Sequence, residues 1–202
     1  MIMSKSTQNL ALFRKWDFTQ VKVDDPGLQK VLSLKPTIMP TTFGRHEHKR
    51  FGKADVNVVE RLANKLMHFG KKYAKNTGRM GGKKERAINI VKTAFDIIHL
   101  KTDQNPLSIL VKAIENASPN EDTTRIVYGG VVYHVSVDVS PLRRIDLALR
   151  FITEGVKEST FSNPKTVEEA LADEVMLAAQ NDMNSFAIKK KNEQERIAMA
   201  SR

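Results

Sequence analysis

Residues 123–139 read TTRIVYGGVVYHVSVDV. The pair Gly129-Gly130 divides two runs rich in β-branched and aromatic residues. After the pair, Val131, Tyr133, Val135, Val137 and Val139 alternate with Val132, His134, Ser136 and Asp138. A period of two around a Gly-Gly pair specifies a β-hairpin at about 123–139. A lone hairpin is marginal in water, so this one must lean on helices or on a partner. The other sustained periods in the chain are helical. The fold class that follows is mainly α: a helical bundle of about six helices with one protruding β-hairpin and an extended N-terminal arm.

Upstream, Val56, Val59, Leu62, Ala63, Leu66 and Met67 recur at three and four, which predicts an amphipathic helix over 56–69. Asp55 is its candidate cap and Gly70 its stop. Arg61 and Lys65 fall off the apolar stripe and are expected on a shared exposed face. A basic loop over 71–82 carries Gly78, Gly81 and Gly82. A second helix follows with Ala87, Ile88, Val91, Ala94, Phe95 and Ile98 on one face, and a third runs from about Pro106 to Asn116. Beyond the hairpin, Ser140-Pro141 caps a fourth helix whose buried stripe is Leu142, Ile145, Leu149, Ile152 and Val156. Thr166 and Glu169 form a capping box for a fifth, and a last helix covers roughly Lys190–Ala200.

Residues 1–54 show no sustained period and are broken by Pro26, Gly27, Pro36, Pro40 and Gly44. They read as an arm, with a short helical turn near Gly27–Ser33 and with Phe13, Trp16, Phe18, Val21 and Val23 as candidates to pack on the domain. Residues 55–202 read as the helical domain.

Charge is distributed unevenly. The 202 residues carry a net charge of +10, and residues 45–92 alone hold 14 Lys/Arg against 4 Asp/Glu. Such asymmetry predicts one face that meets a polyanion, with nucleic acid the leading candidate. Within it, Lys71, Lys72, Lys75 and Arg79 lead through the loop to Lys83, Lys84 and Arg86 at the start of the second helix. Cations at a helix N-terminus oppose the macrodipole, and a bound phosphate reverses that conflict. Lys189, Lys190 and Lys191 repeat the pattern at the last helix, with Glu193 and Glu195 nearby as offsets. In the hairpin, Arg125, Tyr128 and His134 can reach RNA. Tyr128 either stacks on a base or packs between strands.

Other chemistries find little support. With no cysteine there is no disulfide, thiolate metal site or Cys nucleophile, which fits the cytosol. The polar start predicts no secretory leader, and no apolar run reaches the ~18 residues that span a bilayer. Trp16, the only Trp, lies outside the basic stretch, unlike the pattern of a membrane-surface helix. His46, Glu47 and His48 do not match a helix-borne zinc motif, His68 and His99 sit at helix ends, and Glu168-Glu169 with Asp173-Glu174 read as a solvated face. No phosphate-binding Gly-rich loop and no Gly-x-Ser-x-Gly turn occurs. We expect no catalytic residues, no metal and no cofactor.

A series of short motifs is more specific. Arg50-Phe51-Gly52-Lys53, Val58-Val59-Glu60-Arg61-Leu62, Asn105-Pro106-Leu107, Lys112-Ala113-Ile114-Glu115-Asn116 and Glu121-Asp122-Thr123-Thr124-Arg125 occur in order. Val137-Asp138-Val139-Ser140-Pro141-Leu142-Arg143-Arg144, Leu147-Ala148-Leu149-Arg150, Leu171-Ala172-Asp173-Glu174, Asn184-Ser185 and Ala187-Ile188-Lys189-Lys190-Lys191 complete the set. Over about residues 20–202 the chain resembles small-subunit ribosomal protein seven, numbered five in eukaryotes, in its archaeal and eukaryotic branch. The resemblance implies a helical bundle with a hairpin arm and binding to the 3′ major domain of small-subunit ribosomal RNA. It also implies a part in nucleating the subunit head, and a hairpin and C-terminal region that line the tRNA exit site near the mRNA exit. Neighbouring ribosomal proteins of the head and platform, exit-site tRNA and mRNA are the implied partners, in the cytoplasmic ribosome and away from membranes. By the same resemblance, Arg45, Lys49, Arg50, Lys53, Lys71, Lys72, Arg79, Lys83, Lys84 and Arg86 bind RNA, and Arg143 and Arg144 are further contacts. Bacterial members of the family carry adjacent arginines just before the Gly pair. Here Ile126 and Val127 stand there, followed by Tyr128. The alternatives are a helical DNA-binding regulator that reads with its second helix, and an RNA-processing enzyme.

Overall fold

The computed structural model describes residues 10–68 and 80–202. Its elements are a short helix α1 (Pro26–Gln29), two 3-10 turns (Arg45–His48 and Gly52–Asp55), α2 (Val58–Leu66), α3 (Lys84–Thr102) and α4 (Pro106–Ala117). The antiparallel strands β1 (Glu121–Tyr128) and β2 (Val131–Asp138) follow, then α5 (Pro141–Thr160), α6 (Val167–Ala179) and α7 (Phe186–Ala200). The mainly helical architecture with one hairpin is as the periods predict. The first helix, expected to run to residue 69, ends earlier, at Leu66 with Met67 as its C-cap, while Gly70 and the loop cations Lys71, Lys72, Lys75 and Arg79 lie outside the described residues.

α6 packs against α3, α4 and α5, and α7 lies against α5 and β1. Leu62, Ile98, Leu110, Ile114, Ile145, Leu149 and Ile152 are among the largest fully buried side chains. Each such residue contributes about 1.5–3 kcal/mol by leaving water. The apolar residues of the arm join the same core: Leu12, Phe13, Phe18, Val21, Leu28 and Leu32 are buried, and Trp16 and Val23 pack against it. Trp16 also meets His99 edge-on at 4.9 Å, which places His99 in a packing role.

Local signals hold in several places. Asn105 caps α4 with Pro106 in its first turn, and both halves of the Thr166–Glu169 box form at α6. Two starts and one cap bond differ from expectation. α2 starts at Val58, capped by Asn57, whose side chain accepts from the Val59 N–H, while Asp55 closes a 3-10 turn and pairs with Lys35 at 2.9 Å. Ser140 occupies the cap position of α5 without a side-chain cap bond. α7 begins three residues before the lysine run, at Phe186, because Ser185 caps it by accepting from the Ile188 N–H. Ser185 is itself held by Glu174, whose Oε1 also accepts from the Ala187 N–H at 2.9 Å.

The hairpin pairs Glu121 with Asp138 at its base and Tyr128 with Val131 at its tip. Gly129 and Gly130 both take positive φ (59° and 82°), the pattern of a type I′ turn that side chains resist. The base leans on α7: Glu195 accepts from the Asn120 N–H at 3.0 Å, and Arg202 pairs with Glu121. Beyond Thr124 both faces of β1 are exposed, so the alternation does not sort into a buried and a solvated side.

Candidate nucleic-acid interface

The described part of the basic stretch folds around α2. That helix reads as amphipathic, yet Val58, Val59, Glu60, Arg61, Leu62, Ala63 and Leu66 are all buried. The arm covers its outer side: the Val58 N–H donates to Ser33 O, and Asn57 donates to Lys35 O. The expected exposed face of Arg61 and Lys65 is therefore corrected. Arg61 is 3% exposed and Lys65 is half-buried. Irregular chain, which has no period to reveal it, lies where solvent was expected.

Two carboxylates neutralise the charges enclosed this way. Asp146 of α5 accepts from Lys53 at 2.6 Å and from Arg61 at 3.3 Å. Burial works to raise the Asp146 carboxyl. The Lys53 hydrogen bond and the charges of Arg61, Lys53 and Lys65 outweigh it and hold the group below the usual carboxylate value. Burial pulls the Arg61 guanidinium below its usual value, against the opposing charge of Asp146. Glu60, 1% exposed, accepts from the Thr42 N–H and hydroxyl at 2.9 Å each and pairs with Lys84. Asp146 thus joins the second 3-10 turn to α2 and α5. Glu60 joins the arm to α2 and to the start of α3.

These contacts sort the basic residues that the sequence singles out. Lys53, Lys84, Arg144 and Lys190 are tied internally. Arg144 donates to Asp25 at 2.8 Å and to Ser118 at 3.1 Å, and Lys190 pairs with Glu193 at 2.6 Å. Arg45, Lys49, Arg50, Lys83, Arg86, Arg125, Arg143 and Lys189 are exposed and make no ion pair within 4.0 Å among the described residues. Lys191 is half-buried and also makes none. The conflict at the N-terminus of α3 is therefore smaller than the sequence implies, since Glu60 answers Lys84, while Lys83 and Arg86 remain uncompensated.

Arg45, Lys49 and Arg50 share the arm turns that Asp146 and Glu60 bind to α2, and Lys83 and Arg86 border the same anchor. Arg125 and Tyr128 lie on the distal half of the hairpin, and Lys189–Lys191 follow the first turn of α7. No bond among the described residues links these to the α2 group. Tyr128 is 80% exposed, so it is not packed between strands. Sequence reasoning missed Glu60 and Asp146. The signal was present in Glu60-Arg61, an opposite-charge pair directly between the apolar residues Val58-Val59 and Leu62-Ala63, where buried ions demand partners.

Fold and surface define a class: a mainly helical protein with an arm bound across one helix, an uncompensated basic face beside it and a projecting hairpin. The profile of ribosomal protein S7p/S5e matches residues 28–202, and the chain belongs to that family. It is 66% identical over 196 residues to small ribosomal subunit protein uS7 of Cenarchaeum symbiosum, covering 97% of this chain and 98% of that one. It is 51% identical to the uS7 protein of Methanothermobacter thermautotrophicus (94% and 98% covered) and 48% identical to that of Methanosphaera stadtmanae (94% and 97%).

Proposed function

We propose that the chain is a structural constituent of the small ribosomal subunit that binds the 3′ major domain of its ribosomal RNA. On this reading it helps nucleate the subunit head, beside neighbouring head and platform proteins. The observation that carries the reading is the division of the cations. Buried Glu60 and partly buried Asp146 hold Lys84, Lys53 and Arg61, and through them fix the arm and the start of α3, which display Arg45, Lys49, Arg50, Lys83 and Arg86. Such a face meets phosphates by releasing condensed counterions, and its shape complements folded RNA. Family membership and the names of the relatives support the same assignment. The role is architectural and requires no catalytic group.

The hairpin and the C-terminal region are the parts we assign to the tRNA exit site, near the path of the mRNA. Val127 and Tyr128 are exposed, and the strand that bears them offers one cation, Arg125. Its contribution is shape and stacking more than charge. Replacing residues 126–133 by a two-residue turn should leave affinity for the ribosomal RNA within about twofold. In reconstituted subunits it should change tRNA retention at the exit site or mRNA handling. Loss of RNA binding would contradict this division of labour, as would unaltered tRNA and mRNA handling.

A further inference from the structure

Phe43 stands at the edge of the anchored arm and is 82% exposed. Its backbone is left-handed, with φ at +51°, a region that residues with a bulky side chain avoid. Isolated exposed phenylalanines are common on protein surfaces. One held outward by a disfavoured backbone is not, because such strain persists only where the surroundings enforce it.

The enforcement is visible on both sides of the residue. Thr42 donates its N–H and its hydroxyl to the buried Glu60. Because that hydroxyl proton goes to a carboxylate, its oxygen is left to accept from His46 Nδ1 at 3.2 Å. The two 3-10 turns are locked together at Gly52, where a Cβ would lie 2.2 Å from the His46 carbonyl oxygen. No larger residue fits that approach.

Beside Phe43 opens a cleft of ≈ 440 Å³, lined in part by Thr42, Phe43, Arg45, His46 and Lys49. Its size lies within the roughly 300–1,000 Å³ of small-ligand clefts. Asp55 also lines it, but that carboxylate is paired with Lys35. Phe51 is the other exposed aromatic of the arm, and the Arg50 guanidinium already covers its ring at 5.3 Å. The ring of Phe43 carries no such partner among the described residues.

We propose that Phe43 is a stacking platform for one unpaired RNA base, which enters the cleft while Arg45 and Lys49 hold the flanking phosphates. Aromatic faces accept any base, and cations beside them fix the backbone, so the pairing of ring and charge selects unpaired nucleotides over duplex. Gly52 and Glu60 act here as positioning residues. The inference rests on the RNA-binding reading and adds to it a site that reads single-strandedness.

The test uses the full chain and a transcript of the small-subunit 3′ major domain, with affinity measured across a range of salt. Phe43→Gly removes the ring and also the backbone strain. It should weaken binding about 5- to 100-fold with an unchanged salt slope, while the thermal midpoint stays level or rises by about 2–4 °C. Phe43→Trp should bind within about twofold of wild type. If wild type binds the transcript and Phe43→Gly binds equally well, stacking is overturned and the RNA-binding reading survives. A lower salt slope in Phe43→Gly also overturns stacking, because it would assign the weaker binding to displaced cations. Equal RNA affinity together with poor incorporation into reconstituted subunits would assign Phe43 to a protein contact instead. A wild type that does not bind the transcript removes the RNA-binding reading and this inference with it.

Discussion

Replacing Asp146 by alanine should destabilise the fold by about 3–5 kcal/mol, because it leaves Arg61 buried without a counter-charge. At this chain length that corresponds to a fall in thermal midpoint of about 6–20 °C. Asp146→Asn keeps the volume and removes the charge, so most of the penalty should remain. Arg61→Met with Asp146→Leu should recover much of it, since an ion pair replaced by packed apolar groups of similar size is often neutral. The pH dependence has a definite sign. The folded-state carboxyl lies below its unfolded value of about 3.9, so its contribution is complete above that value. It is lost as pH falls from there through the folded-state value. The acid limb of the stability curve should therefore be shallower in Asp146→Asn than in wild type. Equal limbs in a fully folded variant would show that the carboxylate does not anchor the arm.

The second large effect concerns binding. Arg45, Lys49, Lys83 and Arg86 are exposed, unpaired and grouped around the anchored arm and the start of α3. Changing all four to alanine should lower the slope of log affinity against log salt by about 3, at roughly 0.7–0.9 for each phosphate no longer neutralised. At 0.1 M salt that corresponds to a weakening on the order of a thousandfold. The thermal midpoint should hardly move, because none of the four is tied internally. Lys84→Ala should do the reverse. It should cost stability by leaving Glu60 buried and unpaired, and it should change the salt slope little. Similar effects from the two variants would mean that the internal ion pairs do not separate anchoring cations from displayed ones.

Much of the fold was legible because periodic segments announce themselves. The core stripes of α3, α4 and α5 follow directly from recurrences such as Ala87, Val91, Ala94, Phe95 and Ile98. The type I′ turn follows from Gly129-Gly130, and the α6 start follows from the Thr166–Glu169 box. What stayed hidden is the relation between irregular chain and helix. The arm has no period, so nothing local states that Thr42 reaches Glu60 or that Lys53 reaches Asp146, 93 residues away. An amphipathic pattern identifies a helix's apolar face but not what covers the other one. For the same reason Arg61 reads as a surface cation, and Lys84 and Arg144 read as displayed when they are tied. The start of α7 was missed although Ser185 is a local cap signal; only tertiary packing shows that Glu174 holds that hydroxyl as well.

The basic face and its cargo are tested most directly by the affinity of the intact protein for the small-subunit 3′ major-domain RNA and for duplex DNA of equal length, measured over the same salt range. Tight binding to the folded RNA with a steep salt slope is expected, and binding to the duplex weaker by at least about tenfold at every salt concentration. Equal affinity for the two, or a slope near zero on the RNA, would contradict it.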